Sequence, residues 1–220
     1  MTQLSPPGRG HAAVAAIVLA AGLSRRMGPV NKLLQPVRGV AMVRKVAEQA
    51  LASGCGRVLV VLGHQAGRVR EALAGLPVEF IDNPDYAEGL GGSVRAGAAA
   101  LRDGEAALVC LGDMPGVTAG VIDALLAAFR ANPGARACQP VFQGRRGNPV
   151  LWSARDVPAL RALRGDEGAR ALLRGLNGSV LEVPVDTDAI FMDIDTPQAL
   201  QAAQAVPARP ARCATSPQQS

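Results

Sequence analysis

Residues 14–28 read Val-Ala-Ala-Ile-Val-Leu-Ala-Ala-Gly-Leu-Ser-Arg-Arg-Met-Gly, and this stretch decides the fold. Its first part, Val14–Ala20, is an unbroken apolar run that ends just before Gly22, as a central parallel strand covered on both faces requires. The small residues that follow let backbone N–H groups come close to a phosphate, and Arg26 and then Lys32 add positive charge. This is neither a P-loop, because no Gly-Lys-Ser/Thr follows, nor a dinucleotide fingerprint, because the closely spaced glycines are missing.

Downstream the pattern alternates. Met42, Val43, Val46, Ala50 and Leu51 recur at helical spacing and Gly54 stops the helix before a second apolar run, Arg57–Leu62, which completes a βαβ unit. A helix over 66–74, a strand over 78–81 and a turn-rich loop over 82–92 come next. Val94, Gly97, Ala98 and Leu101 then share one helical face, and the strand Ala106–Leu111 runs into Gly112-Asp113-Met114-Pro115. Thr118 stands where a cap is needed for a helix with Val121, Ile122, Leu125, Leu126 and Phe129 on its apolar face.

The second half loosens. Strands over 137–142 and 149–152 flank the basic turn Gln143-Gly144-Arg145-Arg146-Gly147-Asn148, helices begin near Ser153 and Asp166, and short strands fall at 180–183 and 189–192. Thr196-Pro197 opens a last helix, with Thr at the cap and Pro in the first turn. The expected fold is α/β: a Rossmann-like, mostly parallel sheet with helices on both faces and a small β-rich insertion in the second half.

With 220 residues and about half of them apolar, the chain suits one folded domain, expected over 13–205. The segments 1–12 and 206–220, rich in Pro, Gly, Ser, Gln and Arg without apolar period, are expected to be disordered. Aromatic residues make up 3%, and the net charge of +5 comes mostly from single Arg and Lys residues rather than basic runs interleaved with rings. An anionic small molecule therefore fits better than nucleic acid. The stretch 12–23 is too short for a membrane span, and Cys55, Cys110, Cys138 and Cys213 lack metal or disulfide spacing, so a cytoplasmic protein with reduced thiols is expected.

Four loops concentrate the chemistry. Asp113 follows a buried strand, where open α/β sheets place ligands, and is the first candidate metal ligand. Asp193 and Asp195, two residues apart on an extended segment, share one side; either binds metal, or Asp195 only caps the last helix. A magnesium ion needs one or two carboxylates plus phosphate oxygens and water, so Asp113 with Asp193 suffices. Asn83, Gly89 and Ser93 offer close approach and a hydroxyl toward a base or ribose. Arg145 and Arg146 can fork onto an acceptor phosphate beside Asn148, although a solvated hairpin tip is nearly as good an account. His11 and His64 have no evident partner and receive no catalytic role.

Taken together, Leu19-Ala20-Ala21-Gly22-x-Ser24-x-Arg26-Met27-Gly28, Lys32, Asn83-Pro84 with Gly89 and Ser93, and Gly112-Asp113-Met114-Pro115 closely resemble the MobA-like nucleotidyltransferases. Gly144 to Pro149, Gly165-Asp166-Glu167-Gly168-Ala169-Arg170 and Asp193-Ile194-Asp195-Thr196-Pro197 resemble the molybdenum cofactor cytidylyltransferase branch, which often has His where Asn148 stands. The resemblance implies transfer of CMP from CTP to molybdopterin-bound molybdenum cofactor with Mg²⁺, giving a cytosine dinucleotide for hydroxylases of the xanthine dehydrogenase type. It also implies that the loop with Arg26 holds the β- and γ-phosphates, that Lys32 acts near the α-phosphate, and that Asp166 belongs to the acceptor side.

Three other readings stand beside it. A sister transferase would use GTP on the same cofactor, or UTP or CTP on a sugar or alcohol phosphate. A non-catalytic carrier would deliver the cofactor to a hydroxylase; Arg26, Lys32, Asp113 and Asp193 all being present argues against it. A Rossmann dinucleotide module ranks lowest, for want of its glycine fingerprint.

Overall fold

A computed structural model describes residues 13–24, 30–165, 168–176 and 178–205. Every residue of the first strand, β1 (Val14–Ala20), is buried. After it come a short ribbon of β2 (Pro36–Val37) and β3 (Val40–Ala41), then α1 (Met42–Ala52), β4 (Arg57–Leu62), α2 (Ala66–Ala72), β5 (Glu79–Asp82), α3 (Leu90–Ala99) and β6 (Ala106–Leu111). The remainder is α4 (Ala119–Ala131), β7 (Ala137–Phe142), β8 (Arg145–Arg146), β9 (Val150–Trp152), α5 (Val157–Arg161), α6 (Gly168–Gly175), β10 (Val180–Pro184) and α7 (Pro197–Ala205).

The main sheet runs β10-β7-β9-β6-β1-β4-β5, with β8 on β7. β1 is parallel to both β4 and β6, β5 is parallel to β4, and β10 is parallel to β7. Within this sheet, among the described residues, only β9, between β6 and β7, and the short β8 pair antiparallel, which is the β-rich insertion expected from the basic turn. Because side chains alternate along a strand, Val14, Ala16, Val18 and Ala20 pack into one layer with Val43, Val46 and Leu125, and Ala15, Ile17 and Leu19 into the other with Val94, Ala98 and Leu160. Helix α3 lies so close to β1 that a Cβ on Gly97 would stand 2.4 Å from Ile17 Cγ2.

Several local expectations change. Residues 189–192 are not a strand: Asp188–Phe191 is a 3-10 turn, because Thr187 Oγ1 accepts from the Ala189 N–H at 3.2 Å and offers the backbone a local alternative to sheet pairing. Thr118 holds the cap position of α4 without a side-chain hydrogen bond; the Ala119 N–H donates instead to Gln49 Oε1 of α1 at 2.8 Å. Helix α3 starts at Leu90, inside the stretch expected as loop, so Ser93 lies within the helix. Thr196 does cap α7, its Oγ1 accepting from the Ala199 N–H at 3.2 Å with Pro197 next to it. The expected disordered segments 1–12 and 206–220 lie outside the described residues. Among the described residues no helix is long and apolar enough to cross a membrane.

Candidate active site

β1 and β6 end side by side, with Leu19 opposite Leu111, so their following loops open at one edge of the sheet. The Gly112 N–H donates to Leu19 O at 3.1 Å, and a Cβ on Gly112 would stand 2.6 Å from that oxygen. Only glycine lets the chain turn here and deliver Asp113 to the rim.

Between these loops and the start of α3 lies a cavity of about 520 Å³. Leu19, Ala21, Gly22, Ser24, Lys32, Gly89, Ser93, Asp113 and Asp195 line it. Its electrostatic centre is Lys32. The ammonium donates to Asp113 Oδ2 at 2.6 Å and also to Asp195 Oδ1, joining residues from three distant parts of the chain. Burial pulls the Lys32 ammonium toward its neutral form, but Asp113 and Asp195 outweigh it and hold the pKa above the usual lysine value. Asp193 stands to the side and is exposed; burial and then the charge of Asp195 push its carboxyl above the usual range.

The base of Lys32 is tightly held. Its N–H donates to Ser24 Oγ at 3.1 Å, and Asn31, 1% exposed, caps the 3-10 turn Lys32–Leu34 by accepting from the Leu33 N–H at 3.0 Å. Ser24 takes a left-handed φ of 53°, a conformation most side chains avoid, and its hydroxyl donates to Asn31 Oδ1 at 3.5 Å. Across the cavity the Ile194 N–H donates to Asp113 O at 3.0 Å, while the Ile194 side chain packs with Val37, Met42 and α7. The extended segment therefore turns Asp193 and Asp195 outward while Ile194 anchors it.

Other residues singled out in the sequence are placed differently. Ala20 is fully buried behind the cavity. Asn83 is 4% exposed and supports the wall: its Nδ2 donates to Ser93 Oγ at 3.2 Å and its Oδ1 accepts from the Asp85 N–H at 3.2 Å. Arg146 is engaged with Glu182 at 2.6 Å, and Arg145 lies 4.4 Å over the Phe191 ring, two residues before Asp193. Asn148 sits apart from the cavity, its N–H donating to Ile190 O at 2.9 Å. Arg26, Gly28 and Asp166 lie outside the described residues.

Sequence reading missed Tyr86 and Asn31. Tyr86, the only tyrosine, lines the cavity and lies so close over Gly63 that a Cβ there would be 2.5 Å from the tyrosine Cβ. Asn31 had a signal, an N-cap residue directly before Lys32; Tyr86 had none.

The donor set suits a divalent cation. Asp113 Oδ1 is buried and, among the described residues, has no hydrogen-bond partner, although a buried carboxylate oxygen demands one. Carboxylates are the ligands a hard cation takes. Among the described residues no three acidic, His or Cys side chains form a ready-made ion cage, so substrate oxygens would have to complete the coordination.

A parallel sheet with a loop cradle after its first strand, and a lysine–carboxylate cluster at the neighbouring strand end, defines a nucleotidyltransferase. The chain belongs to the MobA-like NTP transferase family, whose domain it matches over residues 16–182. It is 33% identical to nicotine blue oxidoreductase of Paenarthrobacter nicotinovorans, over 83% of this chain and 92% of that protein. It is 32% identical to molybdenum cofactor cytidylyltransferase of Escherichia coli, over 84% of this chain and 92% of the relative. A nucleotidyl transferase from Methanothermobacter thermautotroptrophicus superposes with a TM-score of 0.75 at 25% identity, covering 88% of this chain and 97% of that one.

Proposed function

We propose that this chain transfers CMP from CTP to the terminal phosphate of molybdopterin-type molybdenum cofactor, releasing pyrophosphate. The observation that carries the reading is Lys32 set between Asp113 and Asp195 at the floor of the cavity, with Asp113 Oδ1 buried and unpartnered among the described residues. The cytidylyltransferase relative supports the choice of base and acceptor.

In this reading an acceptor phosphate oxygen attacks the α-phosphorus in line. A P–O bond to the acceptor forms as the α–β bridging bond breaks, and the bond electrons leave with pyrophosphate. No protein nucleophile takes part, so catalysis rests on positioning and charge. The loop through Gly22, Ser24, Arg26 and Gly28 takes the β- and γ-phosphates, and Lys32 faces the charge that builds near the α-phosphate. Asp113, with Asp195 or Asp193, would hold Mg²⁺, whose part when bound is to neutralise phosphate oxygens. Gly89 and Ser93 adjoin the nucleoside, with Asn83 bracing Ser93. Arg145, near the Asp193 segment through Phe191, serves the acceptor, and Arg146, Asn148 and Asp166 complete that side. The product serves a hydroxylase of the xanthine dehydrogenase type in the cytoplasm.

The test is pyrophosphate release by the purified protein with Mg²⁺ and molybdenum cofactor, supplying CTP, GTP, ATP or UTP separately. Release with CTP alone supports the proposal, whereas preference for GTP moves the chain to guanylyl transfer. No release with any nucleotide, together with redox turnover of nicotine blue, would replace transfer by the activity that the Paenarthrobacter relative is named for.

A further inference from the structure

Asp113 and Asp195 bring two negative charges to one point of the cavity, and the Lys32 ammonium contacts both. Its Nζ lies 2.6 Å from Asp113 Oδ2 and touches Asp195 Oδ1, with the Lys32 side chain 13% exposed. Asp113 Oδ1, buried beside it, lacks a partner among the described residues. We infer that the Lys32 ammonium is a built-in counter-cation, occupying the place between Asp113 and Asp195 that a divalent ion takes, so that the ion enters with the nucleotide rather than ahead of it. The inference rests on the metal-dependent reading given above.

Hydrogen bonds hold the backbone of Lys32 and of the Asp195 segment, while the lysine stem is free to rotate. Lys32 N–H is held by Ser24 Oγ, its 3-10 turn is capped by Asn31, and the Asp195 segment is pinned through the Ile194 N–H to Asp113 O. Four rotatable bonds carry the ammonium from those anchors, and Lys32 lines the same cavity that takes the phosphates. A divalent ion arriving alone must evict the ammonium from two charge-assisted hydrogen bonds and leave it without an anion. An ion arriving on a triphosphate offers the evicted ammonium a phosphate oxygen at once. Metal and nucleotide binding are then positively coupled, and by linkage each tightens the other by the same factor.

The test is Mn²⁺ titration of the full chain followed by the electron paramagnetic resonance of the free ion, with and without CTP and with no acceptor present. Lys32→Met is compared with Lys45→Met, which removes the same charge from helix α1; Lys32→Gln replaces Lys32→Met if the latter fails to fold by circular dichroism. Without nucleotide, Lys32→Met should bind Mn²⁺ about tenfold or more tightly than the unmodified protein, Lys45→Met should match that protein, and the tightening of Mn²⁺ by CTP should shrink in Lys32→Met. Equal or weaker Mn²⁺ binding by Lys32→Met, or equal tightening in both variants, overturns the inference. Failure of every protein to bind Mn²⁺ even with CTP overturns the metal reading and the inference with it. Pyrophosphate release, measured separately, decides the transfer reading alone.

Discussion

Replacing Gly112 by alanine tests whether the contact between β1 and β6 sets the position of Asp113. The new Cβ would lie 2.6 Å from Leu19 O and 3.4 Å from Leu33 Cδ2, whereas ordinary contact begins near 3.4 Å. The obstacle is a carbonyl of the central strand that already accepts from the Gly112 N–H, so it cannot rotate aside. The end of β6 must therefore retreat by about 0.8 Å, at a cost of roughly 1–3 kcal/mol for an overpacked site. For a chain of this size that lowers Tm by about 2–4 °C per kcal/mol. Asp113 moves with its neighbour, and a displacement near 1 Å at reacting groups costs about 10²-fold in rate. Gly67→Ala, in exposed helix α2 with nothing within 4 Å of its new Cβ, is the matched control; it should keep full activity and gain about 0.5–1 kcal/mol. The assays are pyrophosphate release under saturating CTP and thermal unfolding. A kcat for Gly112→Ala within threefold of the unmodified protein would refute the claim that this turn positions the carboxylate.

Three further outcomes are expected. Asp113→Asn should lower kcat by about 10²-fold or more with only a modest change in Tm, because the amide oxygen can still accept from Lys32 and Oδ1 has no partner among the described residues; near-normal turnover with Mg²⁺ would remove Asp113 from the metal site. Gly63→Ala drives a Cβ to 2.5 Å from Tyr86 Cβ and 2.8 Å from Ala21 Cβ, so it should raise KM for CTP several-fold; an unchanged KM would mean that this wall does not touch the nucleotide. Burial pushes the Cys138 thiol up to about 11 and raises that of Cys110, so at pH 8 about one part in a thousand of Cys138 is the reactive thiolate and both should resist labelling until the chain is unfolded. Mass spectrometry of labelled peptides reads this directly, and rapid labelling of either in the folded protein would contradict its burial.

Much of the scaffold could be read from the sequence because its central strands are covered on both faces. Val14–Ala20, Val58–Leu62 and Ala106–Leu111 are uninterrupted apolar runs, and with Arg57 opening the second each forms a strand with the bounds read from sequence. The reading failed where local hydrogen bonding competes with apolar pattern. Ala189 and Ile190 are buried as a strand there would be, yet Thr187 closes a 3-10 turn in front of them. Period two does place Asp193 and Asp195 together, but the contact of Lys32 with Asp195 spans 163 positions and depends on Ile194 being seated against α7. Asn83 and Ser93 are both polar and both beside the cavity, yet they satisfy each other. Residue type cannot distinguish a side chain that braces a wall from one that meets a ligand.

Family membership leaves the substrate open, and of two relatives that match over nearly equal shares of the chain one is named an oxidoreductase, at 33% identity, and the other a cytidylyltransferase, at 32%. Charge supplies an argument that identity does not. Reducing an organic acceptor builds negative charge on it, and two carboxylates at the cavity floor would oppose that step. Transfer to a phosphate must instead assemble a triphosphate and an anionic acceptor in one cavity, which demands cations at fixed points. On the proposed reading Asp113 and Asp195 would hold a divalent cation there, and Lys32, which contacts both, would supply a second positive charge once that cation had replaced it. A carboxylate pair in a site for anions is unfavourable unless a cation is part of the reacting complex. This arrangement therefore favours nucleotidyl transfer over reduction of an organic acceptor, and Asp113→Asn separates the two: it should lower pyrophosphate release by about 10²-fold or more, whereas any redox turnover of nicotine blue should persist.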